Sequence, residues 1–166
     1  MRTVDMTGSP YAPPAASLAD TVRVPVAPPL WNPNAAANWS LLFTPAFGAF
    51  LHLLNWRALG ENDRAASAKA WFVISLVLLV VYVVLGLLLP DARTADGIGR
   101  AIGFVYLIVW YVSTARSQAR YVKDKFGSAY PRKGWTRPLL IALAAMVGYI
   151  AVSAAIGFVI GFAVSR

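Results

Sequence analysis

The stretch Asn38-Trp-Ser-Leu-Leu-Phe-Thr-Pro-Ala-Phe-Gly-Ala-Phe-Leu-His-Leu-Leu-Asn-Trp56 decides how this chain is read. It is the least hydrophobic of four apolar segments. It also holds the single histidine, an internal proline, and an asparagine beside a tryptophan at each end. Its neighbours set its context. The 166 residues are 58% hydrophobic and only 13% charged, with a mean hydropathy of +0.59, which is far from the composition of a soluble domain. The three later segments approach or exceed the roughly 18 to 20 apolar residues that cross a hydrocarbon core of about 30 Å. The segment around 38–56 is borderline.

The fold expected is therefore all-α: an integral membrane helical bundle of four transmembrane helices at about 33–55, 64–89, 97–126 and 137–165. Together they form one membrane domain, 32–166, behind a disordered Pro-rich tail, 1–31. Six of the eleven prolines lie in that tail, where each removes a backbone donor and biases its predecessor to extended geometry. Pro10–Pro13 and Pro25–Pro28 have P-x-x-P spacing, but so much proline reads more simply as a linker. The opening Met1-Arg2-Thr3-Val4-Asp5 leads into no apolar core of about 7 to 15 residues, so a cleaved signal peptide is not expected.

Asn32 can cap the first helix and Pro33 suits its first position, where a missing N–H costs nothing. Counted to Asn55, the segment would extend about 34 Å at 1.5 Å per residue. Asn34, Asn38, Ser40, Thr44 and His52 oppose insertion, and Pro45 removes the hydrogen bond to the carbonyl of Leu41. A kinked span is the reading; a re-entrant half-helix is the alternative. Further on, Gly60, Pro90 and Gly127 act as stops, with Asp63, Asp96 and Thr136 as caps for the helices that follow.

Basic residues set the orientation. Arg57, Arg64 and Lys69 follow the first helix, and Arg116, Arg120, Lys123, Lys125, Arg132, Lys133 and Arg137 follow the third. Connectors 56–70 and 115–137 are thus expected in the cytoplasm and the C-terminus outside, with the N-terminus outside if the first helix spans and inside if it is re-entrant. The seven residues of the second group alternate with Tyr121, Phe126, Tyr130 and Trp135, a pattern that suits anionic lipid headgroups. The net charge of +8 is explained by this flanking, so nucleic acid is not an expected partner. Arginine outnumbers lysine eleven to four, and with abundant alanine this leans towards a bacterial inner membrane.

Several chemistries lack their parts. There is no cysteine, so disulfides, Cys-ligated zinc and thiol nucleophiles are excluded. No Asp or Glu lies inside an apolar segment, which argues against ion-coupled transport, and one histidine makes no metal site. Neither a phosphate-binding loop nor a serine-hydrolase or metalloprotease motif occurs. No cofactor, no metal and no catalytic residue is expected.

Two patterns remain. Ser40, Thr44, Gly48 and His52 recur every four residues, with Asn55 three further on, so a continuous helix would carry them on one polar face. That face reads as interhelical hydrogen bonding, or as a partner or pore face. Ser40 and His52 would sit about 18 Å apart on it, too far for proton transfer. The second pattern is Ser153, Gly157 and Gly161 in the last helix, with Gly99 and Gly103 in the third, spacing at which membrane helices pack closely. The function expected is non-catalytic binding of a protein partner, another membrane protein or a second copy. An accessory or assembly subunit, or an immunity-type protein against a membrane-acting toxin, would act in this way. The alternative is an oligomeric pore or small-solute channel subunit lined by the polar face of the first helix.

Overall fold

The computed structural model describes residues 26–89 and 91–164. The elements run α1 (Pro33–Phe43), α2 (Pro45–Ala58), α3 (Asn62–Leu88), α4 (Ala92–Trp110), a π-helical turn (Tyr111–Ala115), α5 (Arg116–Phe126) and α6 (Thr136–Val164). The described residues are helical throughout apart from turns and one isolated bridge between Leu30 and Arg132.

A single kinked helix over 33–55 is not formed. Thr44 stands at φ 107° and ψ 156°, a region almost reserved for glycine, and Pro45 opens α2 without an N–H to continue the ladder. The chain turns back there. His52 of α2 reaches the carbonyl of Pro33 at the start of α1, and Asn55 reaches Trp31, so the two half-helices lie against one another as a hairpin. Gly48 is the close point: a Cβ placed there would overlap the Ser40 hydroxyl and the Trp110 ring.

The hairpin corrects a second expectation. Both of its ends lie at the same end of the molecule as the basic connectors, because Leu30 N–H donates to Pro131 O at 3.0 Å and Lys133 N–H donates to Leu30 O at 2.9 Å. The indole N–H of Trp31 adds a bond to Gly134 O at 3.1 Å. The chain therefore enters the first helix from the end that carries 56–70 and 115–137, not from the opposite end. Within residues 26–31, assigned by sequence to the tail, Ala27 and Leu30 are buried here, Leu30 wholly. The disordered character of 1–25, and the location of the N-terminus, lie outside the described residues.

Three helices among the described residues are long and apolar enough to cross a membrane: Asn62–Leu88, Arg93–Phe126 and Thr136–Ala163. The first apolar segment, once folded in half, is not a fourth. Helix starts also shift from the sequence reading. The third long helix begins at Ala92 rather than residue 97, capped by Asp91, whose carboxylate accepts from Arg93 and Thr94 N–H. Asp96 instead accepts from the Tyr82 hydroxyl at 2.6 Å and pairs with Arg100 at 2.6 Å, tying α4 to α3. Glu61, not Asp63, stands at the N-cap of α3, and Thr136 is the first residue of α6 rather than its cap. Asn32 caps α1 as expected, and Gly60 and Gly127 end their helices at positive φ.

The π turn has a clear effect on packing. Trp110, Thr114, Gln118 and Val122 are spaced by four, which drifts about 40° per step on an α-helix. One wider turn at Tyr111–Ala115 absorbs that drift, so all four are buried on one side, against the hairpin. The buried core accordingly sits at the hairpin end. Ala37, Ala49, Trp110 and Ala115 form one cluster, and Leu53, Trp56, Ala65 and Ala68 form another beside it. The outer faces of α3, α4 and α6, by contrast, are lined with exposed Val, Ile, Leu and Phe.

Candidate functional site

The polar groups of the first apolar segment converge between the two half-helices and α5. Asn55 pairs with the backbone of Trp31 on both sides of its amide: Nδ2 donates to Trp31 O at 2.8 Å and Oδ1 accepts from Trp31 N–H at 3.1 Å. The same Nδ2 donates to Gln118 Oε1 at 3.2 Å, and Gln118 Nε2 donates to His52 O at 2.9 Å. Gln118, Asn55 and His52 are all wholly buried. A buried amide left unpaired costs about 1 to 3 kcal/mol, so this closed chain of bonds fixes α5 against the hairpin.

His52 Nε2 lies 3.3 Å from the carbonyl of Pro33, an acceptor only, so the proton resides on Nε2 and Nδ1 carries the lone pair. That Nδ1 has no protein partner, and neither does the buried indole N–H of Trp110, whose ring meets the imidazole edge-on at 5.6 Å between centroids. One is an acceptor and the other a donor. Ser40 donates to Ala36 O at 2.9 Å within its own helix. Breaking the helix does not unite Ser40 with His52, since each is engaged with a backbone carbonyl, and the pair makes no nucleophile and base. Among the described residues no group of three His, Cys, Asp or Glu is placed to hold a metal.

Gly48, His52 and Asn55 keep the spacing read from sequence on one helix, α2, and the fold-back sets Ser40 against Gly48. Ser40, Gly48, His52 and Asn55 are buried inside the chain, and only Thr44, at the hairpin tip, borders open space. The small residues divide differently. Gly99 packs on the Tyr82 ring, while Gly103, Gly157 and Gly161 have no atom within 4 Å of where a Cβ would stand. Ser153 is half-buried on α6. Among the described residues, Gly99 and Gly103 therefore do not pack against Gly157 and Gly161.

The seven basic residues all lie at the hairpin end, and several are stacked on rings. Lys133 sits 4.3 Å from the Trp31 ring, Arg132 5.6 Å from Tyr130, and Lys125 5.0 Å from Tyr121. Tyr121 in turn donates to the Glu61 carboxylate, beneath Arg64 at 4.6 Å. Arg116, Arg120, Lys123 and Arg137 are exposed. Cation–ring contacts of this kind are worth about 0.5 to 1 kcal/mol where exposed, and they hold the charges level with the aromatic belt.

Two apolar cavities flank the hairpin tip. The smaller, about 250 Å³, lies between α3 and α4, where the Tyr106 hydroxyl donates to Trp71 O at 2.7 Å and meets Ser75 at 2.9 Å. The larger, about 630 Å³, lies between the hairpin, α3 and α6. Tyr149 borders both, its hydroxyl donating to Leu79 O at 3.0 Å and so joining α6 to α3. Sequence reasoning missed Gln118 and Trp110. Gln118 is an uncharged amide in a strongly basic stretch, and that contrast was the available signal; Trp110 reads as one more apolar residue in a span. No family model, no curated protein and no solved structure matches the chain.

Proposed function

We propose that the chain is a membrane protein of a bacterial inner membrane that acts without catalysis, by binding another membrane protein. Assembly or accessory subunits work in this way, as do immunity-type proteins that neutralise a membrane-acting toxin. In this reading three helices span, the hairpin re-enters the layer from the cytoplasmic side, and the basic connectors 56–70 and 115–137 face anionic lipid there.

The observation that carries the reading is the open ridge on α6. Among the described residues, nothing lies within 4 Å of where a Cβ would stand at Gly157 or Gly161, on a helix of 29 residues. Small residues spaced by four let a second helix approach backbone to backbone, and a ridge that no described residue covers can receive one. The burial of Ser40, His52 and Asn55 supports this reading over a pore, because it withdraws the polar lining that a pore would need.

The test is purification of the full chain from mild detergent beside Gly157→Leu. The wild type is expected to elute with a second membrane protein or as an oligomer. Gly157→Leu should elute as a monomer of unchanged thermal stability, since no described residue lies against that position. A wild type recovered alone as a monomer, in detergent and in lipid nanodiscs, would refute the proposal. Solute flux through liposomes that is abolished by His52→Leu would restore the pore.

A further inference from the structure

The larger cavity has a shape and a charge that point to its occupant. Its walls are apolar, with Phe47 and Phe50 from the hairpin, Phe72 and Leu76 from α3, and Ala142 and Ala145 from α6. Its volume of about 630 Å³ falls within the roughly 300 to 1,000 Å³ of sites that enclose small molecules. Along α6 the lining runs from Arg137 to Tyr149, which corresponds to about 18 Å of helix. One leaflet of a hydrocarbon core is about 15 Å deep.

Charge is confined to one end of the cleft. Arg137 is the sole charged residue of the lining, and it stands at the connector end beside Trp31. The two ion pairs among the described residues, Arg64 with Glu61 and Arg100 with Asp96, leave it out. Lys133, stacked on Trp31, adds a second cation at the same mouth. A cleft of leaflet depth, greasy along its length and cationic only where headgroups lie, is complementary to an anionic amphiphile. Basic pockets between membrane helices take anionic headgroups for this reason.

We infer that the cleft between the hairpin, α3 and α6 holds one acyl chain of an anionic phospholipid, with the lipid phosphate at Arg137. The lipid fills the space that α6 leaves beside the hairpin. Its site is separate from the ridge at Gly157 and Gly161, which lies beyond Tyr149 on the same helix.

Native mass spectrometry of the full chain, released from mild detergent after exchange with phosphatidylglycerol or phosphatidylcholine, tests this directly. The wild type is expected to keep one phosphatidylglycerol, preferred about fivefold over phosphatidylcholine, as one basic contact at the surface supplies. Arg137→Gln should keep a lipid but lose most of the preference, and Arg137→Gln/Lys133→Gln should lose it altogether. Ala145→Trp, which fills the cleft, should lose the lipid, while Val147→Trp, exposed and outside the lining, should behave as wild type. Ala142→Leu provides a milder filling if Ala145→Trp fails to fold. Gly157→Leu should leave lipid retention unchanged even where it abolishes partner binding. Equal retention of the two lipids by the wild type, retention by the filled variants, or a polypeptide recovered in the cleft in place of lipid would each overturn the inference.

Discussion

Replacing Gly48 with alanine separates a hairpin from a continuous helix by the sign of its effect. In a continuous helix, residues 40 and 48 lie about 12 Å apart along the axis, and Gly→Ala adds roughly 1 kcal/mol of stability through backbone entropy. In the hairpin the new methyl would stand 2.5 Å from the Trp110 ring carbon Cη2 and overlap the Ser40 hydroxyl. Carbon contacts are optimal at about 3.5 to 4.0 Å, so a neighbour must move by about 1 Å or more. Both neighbours are buried, Ser40 at 2% and Trp110 at 0% exposure, and have little room to move. Overpacking of this kind costs about 1 to 3 kcal/mol. Reversible unfolding in mixed detergent–SDS micelles, followed by far-UV circular dichroism, reads the difference. The double variant Ser40→Ala/Gly48→Ala should recover part of the loss, with a coupling of at least about 0.5 kcal/mol. A Gly48→Ala variant as stable as the wild type or more so, with no coupling to Ser40, would sink the hairpin.

Three other outcomes follow from the same geometry. Thr44→Gly should raise stability by about 1 kcal/mol in that titration, because φ 107° with ψ 156° strains a β-branched residue and not a glycine; a loss would mean that Thr44 makes contacts worth more than the strain. Asn55→Leu should cost about 2 to 4 kcal/mol, since it strands the Trp31 backbone and the Gln118 amide together, and a cost below about 1 kcal/mol would show that the network carries little. In the Cys-free background, Val26→Cys and Ser128→Cys should react with an impermeant thiol reagent from the same side of the membrane, and Arg93→Cys from the other. Val26→Cys grouping with Arg93→Cys instead would restore a spanning first helix.

Much of the helical layout was legible in the chain because it rests on local rules. Asn32 and Pro33 begin a helix, Gly60 and Gly127 end two, and uninterrupted apolar runs such as 71–89 need no tertiary partner to be read as long helices. Caps proved less legible. Asp91 and Asp96 both have the chemistry of an N-cap for α4; Asp91 takes the role, while the Tyr82 hydroxyl and Arg100 engage Asp96. The candidate site was legible as a set of residues and not as an arrangement. Gly48, His52 and Asn55 keep their spacing on α2, whereas Ser40 reaches Gly48 only through the fold-back, with Thr44 left at the tip.

Composition and segment length determined by themselves that the chain is helical, with three segments apolar enough for a membrane, since lipid accepts apolar side chains without any specific packing. Tertiary structure alone decided what the stretch around Asn38 to Trp56 becomes. Proline at 45 permits either a kink or a break, and the break carries local strain at Thr44, so local energetics do not select it. The break prevails where Asn55 can reach Trp31 and Gln118, where His52 can reach Pro33, and where Gly48 lets Ser40 and Trp110 close in. Those partners lie 19 to 63 residues away from the groups they satisfy, beyond the reach of any local pattern. The least apolar segment thereby becomes the core, because Ser40, Asn55 and His52 Nε2 find partners within the protein and the most apolar helices are left to face outward.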